Sequence, residues 1–241
     1  MASPCCTSGF KHEGTPVGEI KDANGIATYF ATPKKNKNPE HAILFISDVF
    51  GHFNNNKLLA DEFANQGYLT VLPDLFNGNP VPAEAMDAGK FDLGSWIVNY
   101  QPDVIDPILT TMIKYLRETL GVKRIGAVGY CFGAKYVNRF LRKGKIDVGY
   151  YAHPSFFTIE DVSAIEGPLS IAAAEIDPVY PPELRHESEA ALIKTGQHWQ
   201  INLYSGVSHG FGVRGDLSNP QFKWAKEQAH AQAVAWFDHH L

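Results

Sequence analysis

Five residues, Gly129-Tyr130-Cys131-Phe132-Gly133, follow a short apolar run at 124–129 and lead into a stretch with helical spacing. Few folds satisfy that arrangement. A sharp turn from strand to helix holds its middle residue in a strained conformation, and glycines two before and two after it let neighbouring backbone approach without a Cβ clash. The pattern is a nucleophile elbow, here carrying cysteine. It is expected to lift Cys131 off a sheet with its sulfur exposed and a helix N-terminus beneath it, where thiolate is favoured. The same pentapeptide also suits a small buried cysteine in a glycine-containing turn.

The rest of the chain supplies the sheet that such an elbow needs. Asn24-Gly25 separates two strand-like runs at 19–22 and 26–32, a hairpin signature that predicts an antiparallel edge. Further strands are expected at 42–47, 69–72, 124–129, 148–152, 169–174 and 200–204. Most are continuous apolar runs of the kind buried on both faces of a sheet. Helical spacing recurs between them, at 57–66, 104–119, 134–142, 183–194 and 222–239; Ile105, Ile108, Leu109, Met112, Ile113 and Leu116 form one apolar stripe. Alternation of this kind implies a mostly parallel central sheet with helices on both faces and an N-terminal antiparallel hairpin, in one domain spanning 1–241. The connection at 76–102 is too long for an ordinary strand-to-helix loop. Its Phe76, Met86, Phe91, Trp96, Ile97 and Tyr100 predict a cap folded over the sheet to wall a pocket.

Composition removes several classes of function. The net charge is −5 and no face rich in Lys and Arg is visible, so no nucleic-acid partner is expected. Residues 1–15 lack the apolar core of a signal peptide, and no apolar run reaches the ~20 residues of a membrane span. A cytoplasmic protein without a membrane partner is the expectation, monomeric or homodimeric. Three cysteines, with Cys5 and Cys6 adjacent, build neither a disulfide framework nor a zinc site, and no metal or organic cofactor is implied.

In an open parallel sheet the carboxyl ends of the strands converge on one crevice. Four polar groups fall there: Asp48 in Ser47-Asp48-Val49-Phe50-Gly51-His52, Cys131, Asp177 in Glu175-Ile176-Asp177-Pro178, and His209 in Ser208-His209-Gly210. Nucleophile, acid and base follow one another in the chain order of an α/β-hydrolase triad. His209 is the candidate base, on a loop with a flexible lead-in at 205–208; His12, His41, His186, His198, His230, His239 and His240 are assigned to the surface. Asp177, kept extended by Pro178, would orient His209, with Glu175 as its rival. The backbone N–H groups of Val49 and Phe132 would stabilise an oxyanion. Asp48 would either take the thiol proton or cap its own loop through local N–H groups. Candidate substrate contacts are Asp48, Phe50, Trp96, His153 and Arg214. For Arg214 the partner would be a substrate carboxylate or Asp216, and His153-Pro154 is either pocket lining or a plain turn.

These motifs together resemble the dienelactone hydrolase (carboxymethylenebutenolidase) family. The likeness covers nearly the whole chain, and Cys5-Cys6, Ala152-His153-Pro154-Ser155-Phe156 and Val213-Arg214-Gly215 resemble its fungal branch. The resemblance implies an α/β-hydrolase fold and a cysteine hydrolase of lactones or small esters, with a Cys131–His209–Asp177 triad and no metal or organic cofactor. Bacterial members carry glutamate where this chain has Asp48, and the segment 74–78 offers no arginine for a dienelactone carboxylate. A larger or less charged substrate is therefore expected. A small-molecule receptor on the same fold, binding without turnover, is the alternative.

Overall fold

A computed structural model describes residues 14–241. The expectations attached to Cys5, Cys6 and His12 lie outside the described residues. Eight strands form one sheet in the order β1-β2-β4-β3-β5-β6-β7-β8. They are β1 (Glu19–Ala23), β2 (Ile26–Ala31), β3 (His41–Ile46), β4 (Leu69–Pro73), β5 (Arg124–Tyr130), β6 (Val148–Ala152), β7 (Leu169–Ile176) and β8 (Trp199–Ser208). β1 and β2 make the antiparallel hairpin around Asn24-Gly25, both residues at positive φ, and β2 joins β4 antiparallel; every later pairing is parallel.

The helices are α1 (Asn54–Asn65), α2 (Ala83–Asp87), α3 (Leu93–Ile97), α4 (Pro102–Lys114), α5 (Gly133–Phe140), α6 (Ile159–Ser163), α7 (Pro182–Thr195), α8 (Phe211–Arg214) and α9 (Pro220–His240). They divide between the two faces as the strand residues dictate. Along β3, Ala42, Leu44 and Ile46 enter a core with residues of α4 and α5, while Ile43 and Phe45 enter the opposite core with α1 and α9. Continuous apolar strands thus satisfy both layers at once. No helix among the described residues is long and apolar enough to cross a membrane.

Three local departures from the sequence reading bear on the site. β8 continues to Ser208, so the lead-in to His209 is strand rather than loop. β7 likewise continues through Glu175 and Ile176, and its pairing with β8 shifts register there. Glu175 secures the irregularity by accepting a hydrogen bond from the N–H of Gly206 at 2.7 Å, with Gly206 at φ 70°. The segment after β4 contains the short helices α2 and α3, and packs Phe76, Met86, Trp96 and Tyr100 into the core. Its Phe76 ring meets Phe132 at 5.5 Å, and the N–H of Val81 donates to the carbonyl of Val49 at 2.9 Å. The segment thus contacts both the elbow and the loop after β3.

Candidate active site

Cys131 sits at φ 50° between β5 and α5. The flanking glycines are required by contact rather than by flexibility. A Cβ on Gly133 would lie 2.0 Å from the carbonyl oxygen of Ile46, and one on Gly129 would lie 2.8 Å from the backbone of Gly133. The sulfur, however, is not exposed as the turn geometry suggests: Cys131 retains 2% of its accessible surface. Neighbours close over it. Phe132 packs against Phe76, and the polypeptide after β6 returns to the elbow, where the N–H of Cys131 donates to Ala152 and that of Ser155 to Cys131.

Three side chains distant in sequence meet in one hydrogen-bonded line. His209 Nε2 lies 3.1 Å from Cys131 Sγ, and its Nδ1 lies 2.9 Å from Asp177 Oδ2. The side chains of His209 and Asp177 are fully enclosed. Burial alone would disfavour the imidazolium, yet the Cys131 thiolate and the Asp177 carboxylate outweigh it and raise the His209 pKa above its ordinary value. Asp177 is aimed by its own loop: Oδ1 accepts the N–H groups of Val179 and Tyr180 at 2.9 and 3.1 Å, leaving Oδ2 for the histidine. This fixes the carboxylate more directly than the extended backbone imposed by Pro178. Glu175 is exposed and bonded to Gly206, and of the two carboxylates it is Asp177 that meets His209.

Asp48 is enclosed at the end of β3. Its Oδ1 accepts the N–H of Phe50 at 3.0 Å and the Asn56 amide at 2.8 Å, the loop-capping arrangement foreseen as one of its two roles. Its Oδ2 lies 3.7 Å from Arg214 Nε. Burial, joined by the nearby Cys131 charge, raises its pKa, with Arg214 and Asn56 opposing. Arg214 is therefore no surface arginine. It is buried beside Asp48, with its guanidinium 4.4 Å over the Phe50 ring. Asp216 instead accepts hydrogen bonds from Ser218. Asn55 and Lys226 both donate to the carbonyl of Val213, tying down the helix that carries Arg214.

His153 belongs to the site, but as an enclosed group. It has 0% exposure and φ 40°, and its ring lies 5.0 Å from the His209 ring in an edge-to-face arrangement. Neither ring nitrogen has a hydrogen-bond partner among the described residues. Burial first, then His209 and Arg214, hold its pKa well below the usual histidine value, so the imidazole is neutral. Trp96 stands a layer back from the elbow: it donates Nε1–H to the Asn79 carbonyl at 3.0 Å and packs on Phe76 and Tyr100. His230, assigned to the surface from sequence, lies under Phe63 with its rings 4.6 Å apart.

Two contributors escape the sequence reading. Asn56 is the third of three consecutive asparagines, and nothing in the run distinguishes the one that turns inward to Asp48. Ser155 Oγ lies 3.3 Å from Cys131 Sγ. Its position after a predicted strand end was the available signal. Among the described residues no cluster of three or more His, Cys, Asp or Glu is arranged to hold a metal ion.

Sheet order, helices on both faces and an elbow at the carboxyl end of β5 define an α/β-hydrolase fold. Residues 26–241 match the dienelactone hydrolase family, and the chain belongs to it; it is an ester or lactone hydrolase. It is 47% identical over 240 residues to "Hydrolase pyvD" of Aspergillus violaceofuscus, covering 99% of this chain and 97% of that protein. It is 32% identical to "Dienlactone hydrolase 1" of Gibberella moniliformis, covering 98% and 93%. In fold it is similar to a thermophilic esterase of Thermogutta terrifontis, with a TM-score of 0.65 at 15% identity and coverage of 91% and 94%.

Proposed function

We propose that the protein hydrolyses a lactone or small ester through a thioester on Cys131. The observation that carries the reading is the continuous enclosed line from Sγ through His209 to Asp177, with contacts of 3.1 and 2.9 Å. In the first half-reaction the thiolate attacks the carbonyl carbon, and the charge moves to its oxygen. The N–H groups of Val49 and Phe132 serve as the oxyanion donors; neither is used in a hydrogen bond among the described residues. The tetrahedral adduct then collapses, the C–O bond breaks, and His209 gives its Nε2 proton to the departing oxygen. For a lactone that oxygen stays tethered to the acyl group.

In the second half-reaction the now neutral His209 takes a proton from water. The hydroxide attacks the thioester, the C–S bond breaks, and the acid leaves while thiolate and imidazolium re-form. Asp177 holds the imidazole in the required tautomer and stabilises its charged form. Asp48 is part of the resting electrostatics of the thiol, and Arg214, buried and paired with it, is the candidate contact for a substrate carboxylate. The cap supplies Phe76 against the elbow but no arginine at 74–78. That composition supports an aromatic or weakly charged acyl group over dienelactone itself.

Turnover of a panel of aryl esters and lactones by the wild type and Cys131→Ala tests the proposal. Loss of all but ~10⁻³ of the rate in the variant is expected. Equal rates in the two would end it.

A further inference from the structure

Ser155 is a polar side chain at the sulfur that the thioester route leaves without a task. Its exposure is 2%, and its Oγ lies 3.3 Å from Cys131 Sγ. Main-chain bonds deliver it there. The N–H of Ser155 donates to the carbonyl of Cys131 at 3.1 Å, that of Cys131 to Ala152 at 3.3 Å, and that of His153 to Ala172 at 2.9 Å. The turn between them holds His153 and Phe156 at φ 40° and 60°. Non-glycine residues adopt such angles only where the surroundings enforce them. The hydroxyl is thus clamped to the elbow by backbone on both sides.

We propose that the Ser155 hydroxyl donates a hydrogen bond to the Cys131 thiolate and, with His209, sets the ionisation of the nucleophile; this rests on Cys131 acting as the nucleophile. Counting donors gives the direction of the bond. When the proton resides on His209 Nε2 the sulfur has none, and only the hydroxyl can donate. A hydrogen bond to a charged acceptor is stronger than one between neutral groups and favours the charged form. After acyl transfer the thioester sulfur is uncharged and the bond weakens. It strengthens again as the C–S bond breaks and negative charge returns to sulfur, so the hydroxyl assists both formation of the nucleophile and its departure.

Among the described residues, charges facing the sulfur include His209 from the end of β8 and Asp48 from the loop after β3. Asp177, Arg214 and the neutral His153 act on the sulfur through those two.

The test is alkylation of Cys131 by iodoacetamide between about pH 4 and 9, read from the mass of its own peptide, in the wild type, Ser155→Ala and Ser155→Thr. Circular dichroism establishes that each is folded. The wild-type midpoint is expected well below the ~8.5 of a free thiol. Ser155→Ala should raise it by ~0.5–1 pH unit and Ser155→Thr should restore it. An unmoved or lowered midpoint in folded Ser155→Ala overturns the proposal. A wild-type midpoint at ~8.5 or above instead removes the nucleophile reading on which it stands. Ser155→Val against Ser155→Thr repeats the comparison at matched volume should the alanine variant not fold.

Discussion

His153 and His209 meet edge to face with ring centroids 5.0 Å apart, yet only His209 is joined by hydrogen bonds to partners on both ring nitrogens. Two adjacent imidazoles cannot both be charged cheaply in an enclosed site. The asymmetry decides which is: Asp177 and Cys131 hold the proton on His209, and burial keeps His153 neutral.

That division predicts that His153 supports the base without exchanging protons. His153→Gln should leave the number of ionisations in the pH profile of kcat/KM unchanged. Its rate loss should stay well short of the ~10²–10⁴ expected of a proton-transferring group. Disappearance of one limb of the profile would show that His153 titrates in the reaction.

Asp177 and Glu175 lie two residues apart, and the structure gives them unrelated partners, His209 for the one and the Gly206 N–H for the other. Asp177→Asn is expected to lower kcat by about 10³–10⁴, because the neutral amide neither fixes the tautomer of the neutral imidazole nor stabilises the imidazolium charge. Glu175→Gln keeps an acceptor for the Gly206 N–H and should change kcat less than ~10-fold, the range expected away from the reacting groups. Steady-state kinetics of the two variants side by side checks the assignment.

Acid stability follows from a histidine outside the site. His230 is half-buried beneath Phe63, and desolvation, helped by Lys226, lowers its pKa to about 4. Between that value and the ~6.5 of the unfolded chain the unfolded state binds the extra proton, so stability rises with pH and is lost on acidification. His230→Phe should flatten the dependence of unfolding free energy on pH in that window by up to about 1.4 kcal/mol per pH unit. Urea unfolding at several pH values measures it, and parallel curves for the two proteins would contradict the account.

The elbow also makes a prediction about folding. Gly133→Ala places a Cβ 2.0 Å from the Ile46 carbonyl, and backbone on both sides leaves no flexible group to yield. A loss of at least ~3 kcal/mol is expected, against about 1–2 kcal/mol for an alanine at Gly144, which meets no neighbour and carries only the cost of its positive φ. Denaturant midpoints compare them.

Much of this architecture was legible in the residues themselves. Runs such as 42–47 and 148–152 are apolar without alternation, which only a sheet covered on both faces explains, and the elbow fixed where helix must follow strand. Chain order then named the line of Cys131, Asp177 and His209. What stayed hidden was set by tertiary contact. Continuation of β8 into 205–208 depends on Glu175 of the neighbouring strand bonding Gly206, a pairing with no local signature. The burial of Arg214 against Asp48 and of Ser155 against Cys131 depends on loops from different strands arriving at one place. Enclosure of the sulfur has the same origin, since the turn raises Cys131 while His209 and Ser155 meet its sulfur from the ends of β8 and β6.

The most direct measurement is the mass of the Cys131 peptide after rapid acid quench of the wild type turning over an activated aryl ester. An acyl adduct on that peptide, labile to hydroxylamine and absent in Cys131→Ala, is the predicted result. Steady turnover with no adduct at any quench time, retained in Cys131→Ala, would contradict the covalent route.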